Sequence, residues 1–194
     1  GAVFVGATTG GGIIDRAAVA SMTVPRIRSA VYFRDRCDVE FRVPDIVQCD
    51  SQETAAMIQR LGICGRRSDL AQQFSRRFLI SMDGNGAACS RVALALRSNS
   101  VLVKYDSPRV LYYSSALVPW RHYVPVVDDP SVERVIALER ANVGHFKPIA
   151  EAGTKLFREY LNRATALAYV AELVACSARV LVWPPALLRA FGSS

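Results

Sequence analysis

Short apolar segments of strand type alternate along the chain with segments of helical periodicity, and this alternation constrains the fold more than any other feature. Strand patterns are predicted at residues 2–5, 39–43, 77–82, 100–104 and 122–126. Helical patterns are predicted at residues 52–61, 88–96, 131–141, 148–160 and 164–178, with a tail over 180–194. Strands separated by helices are typical of a parallel sheet covered on both faces. The sequence therefore predicts an α/β fold.

Basic residues outnumber acidic ones, and the formal net charge of the chain is +7. Only three of the 24 basic residues are lysines, and arginine forks suit phosphate and carboxylate groups. The charge is spread evenly, with 13 basic and 9 acidic side chains in residues 1–100 and 11 and 8 in residues 101–194. Nucleic-acid binders usually gather their charge in a patch or tail. We therefore predict no nucleic-acid partner. A basic interaction module for glycans or nucleic acid is kept as one alternative function of the chain.

The five cysteines are odd in number, widely spaced and without a CxxC pair. Because the chain has only two histidines, this pattern does not favour a zinc site. We predict no metal, no cofactor, and free thiols in a reducing compartment such as the cytoplasm. No charge-free apolar run approaches the roughly 18 residues that a membrane span needs, so no transmembrane segment is predicted. The chain lacks an initiator Met and opens on a strand pattern, so we expect a fragment of a longer protein.

A glycine-rich turn at residues 83–88 stands between a predicted strand and a predicted helix. The free N–H groups of a first helical turn and the positive end of the helix dipole form an anion site at such a position. Small residues in the turn would let a phosphate approach the backbone, and an arginine in the helix would add a charge-assisted fork. The candidate ligand-binding residues are Asp83, Gly84, Gly86, Ala87, Ser90 and Arg91. The alternative is a strand–helix turn without a ligand.

A second glycine-rich turn follows the first predicted strand. Its glycines stand at positions 6, 10, 11 and 12 and match neither the GxGxxG nor the Walker A pattern. Another alternative function is that of an NAD(P)-dependent Rossmann oxidoreductase. The sequence does not contain the glycine pattern that such an enzyme needs. Thr8, Thr9 and Gly10 form a candidate ligand turn, because the two hydroxyls can donate hydrogen bonds to a ligand oxygen; the alternative is a plain turn without a ligand. The pair Asp128-Asp129 is interpreted as a helix cap and turn, and not as a metal site.

Four blocks of sequence, in order and spacing, resemble glycosyltransferase family 90. This is the capsule-associated and lipopolysaccharide-modifying group, related to protein O-glucosyltransferases. The blocks are DGNGA at 83–87 with Arg91, SNSVLVKYDS at 98–107, LVPWRHYVPV at 117–126 and IAEAG at 149–153. Phe4-Val5-Gly6 with Thr9 is similar to an F-x-G-x-x-T block of the family, and the main resemblance covers about residues 74–165.

The resemblance implies a GT-B-like arrangement of two Rossmann-type lobes, in which the C-terminal lobe binds the nucleotide sugar without a required metal. Residues 71–194 would be this Rossmann-like lobe, and residues 1–70 a partial N-terminal lobe or connecting segment. The turn from Asp83 to Arg91 would hold the diphosphate or the sugar. The resemblance places Ser98, Ser100 and Lys104 near the nucleotide, and His122 and Tyr123 at the closing side of the same crevice.

The implied activity is transfer of glucose, xylose or a similar sugar from a nucleoside-diphosphate donor, preferably UDP-linked, to a saccharide or glycoconjugate acceptor. The proposed catalytic Asp of the protein O-glucosyltransferases lies upstream of the F-x-G block, so no catalytic residue is assigned. The chain departs from the family at Cys89, where many members carry Ser, and at Leu111, where many carry Glu. A peripheral position at a membrane is compatible with this activity, and the endomembrane lumen is expected for a eukaryotic source.

Overall fold

The computed structural model of the chain describes residues 1–180, except for the side chain of Cys89. Its strands are β1 (Ala2–Ala7), β2 (Val39–Asp45), β3 (Phe78–Ser81), β4 (Val101–Tyr105) and β5 (Val124–Val126). Its α-helices are α1 (Arg16–Ala20), α2 (Pro25–Phe33), α3 (Gln52–Arg60), α4 (Leu70–Phe74), α5 (Cys89–Arg97), α6 (Asp129–Ala141), α7 (Lys147–Tyr160) and α8 (Arg163–Val180). The tail predicted over 180–194 lies, apart from Val180, outside the described residues.

The five strands form one parallel sheet in the order β2-β1-β3-β4-β5. From β1 the chain moves outward to β2, then returns to the other side of β1 and continues outward through β3, β4 and β5. The loops after β1 and β3 therefore leave the carboxyl edge of the sheet toward opposite faces. Such a switch point opens a space between neighbouring loops, and ligands of open α/β sheets bind there.

Successive side chains of each strand point to opposite faces of the sheet. Helices cover both faces and bury both sets of side chains. On one face, Phe4, Ile80 and Val103 pack in a core cluster with residues of α1, α2, α3 and α6. On the other face, Leu79 and Leu102 pack with residues of α5 and α7. The structure thus confirms the predicted Rossmann-like parallel sheet with helices on both faces.

The first 70 residues share this sheet and its core. They supply β1 and β2, and β1 pairs directly with β3 through Ala2 opposite Phe78. The larger core cluster joins Phe33 and Phe41 from the first segment with Phe78 from the second. Residues 1–70 and the described elements that follow them from β3 to β5 therefore share one sheet and one core.

The predicted cap of α6 agrees with the structure. Asp128 is the N-cap residue of α6, and its side chain accepts a hydrogen bond from Ser131 N–H at 2.8 Å. Four cysteines have described side chains, and none of these four takes part in a disulfide: Cys37, Cys49, Cys64 and Cys176. The fifth, Cys89, has its side chain outside the described part of the chain.

Candidate functional site

The loops that follow β1 and β3 touch each other at the carboxyl edge of the sheet. Gly10 N–H donates a hydrogen bond to Asn85 Oδ1 at 3.2 Å, and Gly10 has a φ of 115°, in the region that favours glycine. A Cβ on Gly84 would overlap Thr9 Oγ1 and come within 3.0 Å of Arg26 Nη2. The glycines therefore let the two loops pack directly. We call the space bordered by residues 8–12 and 82–88 the crevice.

Helix α5 begins directly after the second loop and points its N-terminus at the crevice. The first intrahelical hydrogen bond runs from Val92 N–H to Ala88 C=O at 3.0 Å, so the N–H groups of residues 89–91 have no partner within the helix. Asp83 Oδ1 accepts a hydrogen bond from Ala88 N–H at 2.9 Å and fixes the turn. Ser90 is exposed on the first helical turn. The arrangement offers N–H donors and a positive dipole end to an anion.

Arg91, also in the first turn of α5, is directed into the fold. Its Nη2 donates a hydrogen bond to Val5 C=O, and its Nη1 donates to Gln73 Oε1 at 3.4 Å. The guanidinium carbon lies 4.6 Å from the centre of the Phe4 ring. Burial lowers the pKa of Arg91. The fork that the sequence predicted for a phosphate is thus engaged by groups of the protein itself.

Arg26, in α2, joins the two loops from beneath the crevice, and its side chain is only 8% exposed. Its Nη1 donates to Ala7 C=O at 3.1 Å and to Thr9 Oγ1 at 2.7 Å. Its Nη2 donates to Met82 C=O at 2.7 Å. One guanidinium therefore links the last residue of β1 with the first residue after β3.

The charge beneath the crevice is positive and not neutralised by an ion pair. None of the ion pairs among residues 1–180 includes Arg26 or Arg91. Burial, followed by the neighbouring Arg91, lowers the pKa of Arg26 to about 10, whereas Asp83 acts to raise it. Arg26 therefore remains a cation at neutral pH. The Phe4 ring centre lies 5.3 Å from the Arg26 guanidinium, so both cations face the same ring.

The loop after β4 reaches the same crevice. Ser107 Oγ donates a hydrogen bond to Asp83 Oδ2 at 2.6 Å, and Arg109 N–H donates to Ser107 Oγ at 3.1 Å. A Cβ on Gly86 would lie 3.9 Å from Arg109 Nη1, so this guanidinium stands beside the glycine turn. The Arg109 side chain is exposed. A ligand in the crevice would therefore meet an accessible guanidinium from this third loop.

The ligand turn predicted at residues 8–10 has its hydroxyl groups engaged within the protein. Thr8 is fully buried, and its Oγ1 donates to Val47 C=O and accepts from Val47 N–H, both at 2.9 Å. Thr9 Oγ1 accepts a hydrogen bond from Arg26, and Gly10 N–H is directed at Asn85. The turn shapes the crevice through these contacts.

Four of the predicted donor-binding residues lie at the opposite, amino-terminal edge of the sheet. Ser98 follows the last turn of α5, and Ser100, whose Oγ donates to Arg76 C=O at 2.9 Å, precedes β4. Both serines line a separate cavity of 450 Å³ at that edge. His122 and Tyr123 precede β5. The structure does not bring these four residues together with the crevice.

Two other predicted residues, Lys104 and Ala87, lie at the carboxyl edge. Lys104 pairs in register with Ser81, the last residue of β3, and its Nζ donates to Tyr105 C=O at 3.2 Å. Ala87 is half-buried in the glycine turn. Lys104 is therefore one strand away from the crevice, and Ala87 is part of its wall.

Arg26, Ser107 and Arg109 were not selected from the sequence. Ser107 and Arg109 follow the carboxyl end of β4, so the rule that ligands bind beyond the carboxyl ends of parallel strands would have found them. Arg26 stands between the buried side chains of Val24 and Ile27. Because α2 was not predicted and burial appears only in the fold, the sequence held no local signal for Arg26.

Residues 1–180 contain no helix that is long and apolar enough to cross a membrane. In the same part of the chain, no group of three or more His, Cys, Asp or Glu side chains is arranged to hold a metal ion.

Comparison with known proteins finds two similarities. Residues 25–189 match the family described as Glycosyl transferase family 90. Human Protein O-glucosyltransferase 3 is 32% identical over 90 residues, which are 45% of this chain. The matched segment covers 17% of the length of that human protein. The family match includes the glycine turn at residues 83–88 and most of the chain on either side of it.

Proposed function

Because the chain belongs to glycosyl transferase family 90, we propose that it forms the nucleotide-sugar-binding part of a glycosyltransferase. The observation that carries this proposal is the crevice, where the N-terminus of α5 and the guanidinium groups of Arg26, Arg91 and Arg109 converge. Helix N-termini and guanidinium groups favour phosphate oxygens. Every nucleoside-diphosphate sugar carries a diphosphate between the nucleoside and the sugar. The crevice therefore suits the part that these donors share.

The same groups would assist the transfer reaction. When the bond between the anomeric carbon and the diphosphate breaks, negative charge grows on the departing diphosphate. N–H donors and cations that are already in place stabilise such charge without having to reorganise. The N-terminus of α5 and the exposed Arg109 would contact the diphosphate, and Arg91 would act through its charge from within the fold. No residue of the crevice is assigned as the catalytic base.

We infer a UDP-linked donor and an acceptor that is a saccharide or glycoconjugate. The similarity to a human protein named as an O-glucosyltransferase supports glucose as the first sugar to test, with xylose next. In this proposal the donor contacts come from the crevice, and not from Ser98, Ser100, His122 and Tyr123 at the opposite edge. The GT-B-like arrangement implied by the sequence resemblance is part of the same proposal.

Calorimetric titration of UDP into the chain tests the proposal. We expect UDP to bind, and its affinity to persist in EDTA, because arginines supply the charge that a metal ion would otherwise provide. Uridine should bind more weakly, since it lacks the diphosphate. No binding of UDP would contradict the proposal. Tighter binding of NAD than of UDP would favour the oxidoreductase class instead.

Arg109→Ala and Arg97→Ala form a matched pair for locating the diphosphate. Both arginines are exposed, but Arg97 ends α5 at the edge of the sheet away from the crevice. Hydrogen bonds to charged groups contribute about 1.5–3 kcal/mol, so Arg109→Ala should weaken UDP binding roughly 10- to 100-fold. Arg97→Ala should change it little, and both variants should melt as the parent does. Unchanged UDP affinity in Arg109→Ala would contradict a diphosphate beside Gly86.

A further inference from the structure

We infer that Arg26 is a positioning residue for the diphosphate. It holds the β1 and β3 loops at a fixed spacing and places a buried positive charge beneath the crevice. This inference rests on the proposed function, and it adds a buried residue that acts from beneath the glycine turn.

The first argument is the set of oxygen atoms that Arg26 contacts. The carbonyl oxygens of Ala7 and Met82 lie where the two strands end, and their partial negative charge would repel a phosphate above them. Arg26 donates to both carbonyls, at 3.1 and 2.7 Å, and to Thr9 Oγ1 at 2.7 Å. A planar guanidinium can satisfy several oxygens at fixed angles, which a lysine ammonium cannot. One side chain thus sets the distance between the loops and neutralises the floor of the crevice.

The second argument is that burying the positive charge of Arg26 has a free-energy cost that packing alone would not require. Arg26 is 8% exposed, and among residues 1–180 it belongs to no ion pair. Its Nε is buried and has no hydrogen-bond partner within the described part of the chain. A second cation, Arg91, shares the Phe4 ring with it. Burying an unpaired charge destabilises a fold, and an anion in the crevice would offset that cost.

Helix α2 provides a matched control for this charge. Arg28 lies two residues after Arg26 on the same helix and is exposed. Arg26→Met and Arg28→Met each remove one positive charge and keep an unbranched side chain. Arg26→Lys keeps the charge but cannot reach all three oxygens together.

The test compares ligands that differ in phosphate content: uridine, UMP, UDP and inorganic pyrophosphate. In Arg26→Met we expect UDP and pyrophosphate affinity to fall at least about tenfold, UMP affinity to fall less, and uridine affinity to stay within about twofold. Arg26→Lys should recover part of the UDP affinity. Arg28→Met should bind all four ligands as the parent does. A residue that merely supports the fold would instead lower the affinity for uridine and UDP by the same factor.

The outcomes separate this inference from the proposed function. If the parent chain binds neither UDP nor pyrophosphate, the proposed function is overturned and the inference with it. If the parent binds UDP and folded Arg26→Met binds it equally well, the inference alone is overturned. The inference is also overturned if Arg26→Met loses affinity for uridine and for UDP by the same factor. Should Arg26→Met fail to fold, Arg26→Lys decides. Weaker UDP binding with unchanged uridine binding supports the inference, and parental UDP affinity overturns it.

Discussion

His122 shows how one buried side chain holds a turn of the chain in place. Its Nδ1 accepts a hydrogen bond from Val118 N–H at 3.0 Å. At the apex, Trp120 has a φ of 61° and donates its N–H to Tyr123 C=O at 2.8 Å. Burial, followed by the charge of Arg121, lowers the pKa of His122. The folded chain therefore favours the neutral imidazole, whose unprotonated Nδ1 is the required acceptor.

Acid should destabilise the chain through His122. Because its folded-state pKa is below the unfolded value of about 6.5, its contribution to stability is present above that pH and is lost as the pH falls toward the folded pKa. We expect the melting temperature to decrease between about pH 7 and about pH 5. His122→Asn should flatten this decrease, because an amide oxygen can accept the Val118 hydrogen bond without titrating. Thermal melts across this pH range measure the effect.

The exposed His145 is the control for that experiment. His145→Asn leaves the buried imidazole unchanged, so this variant should keep the pH dependence of the parent. If His122→Asn also kept it, the Val118 hydrogen bond would not be the source of the acid sensitivity.

The elements that border the crevice are held together by close contact between their loops. Gly84→Ala would place a Cβ against Thr9 Oγ1 and within 3.0 Å of Arg26 Nη2, so one loop would have to move. We expect this variant to lower the free energy of unfolding by about 1–3 kcal/mol, as overpacking does. Urea denaturation measures the change.

Gly86→Ala is the matched variant in the same turn. The nearest atom to its added Cβ is Arg109 Nη1 at 3.9 Å, so its free energy of unfolding should stay within about 0.5 kcal/mol of the parent's. Equal stability of the two variants would show that the loops do not need the close contact at Gly84.

The sequence predicted the elements whose local signals are complete. Helix α3, for example, has Ser51 as a side-chain cap that accepts from Thr54 N–H at 3.2 Å, and Gly62 follows it with a φ of 72°. Helices α1 and α4 were missed because five residues are too few to show a periodic pattern. Helix α2 was missed because Arg26 and Arg28 interrupt its apolar positions. Strand β5 was predicted too long, since residues 122 and 123 belong to the preceding turn.

The candidate site was predictable only in its local part. The glycine turn and the start of α5 are adjacent in sequence, so their signals could be combined. The link from Arg26 to Met82 crosses 56 residues, and it depends on which strands are neighbours. Alternation of strands and helices indicates a parallel sheet but not its strand order.

At the scale of the whole molecule, the strand order decides which residues can act together. It places the loops after β1, β3 and β4 at one edge of the sheet. The ends of α5 lie at opposite edges, so Ser90 and Ser98 are separated although only eight positions apart in sequence. A binding site inferred from sequence blocks alone therefore combined residues from two edges of the sheet.

The pairing of β1 with β3, which brings Ala2 opposite Phe78, also governs when a ligand can act during folding. Bringing together two strands that are far apart in the sequence is slow, and the crevice does not exist until the two strands have met. In the proposed function, UDP would therefore stabilise the native state and would not help the unfolded chain to reach it. In stopped-flow experiments, saturating UDP should leave the refolding rate nearly unchanged and slow unfolding. A bound donor would then lengthen the lifetime of each folded molecule without hastening its formation.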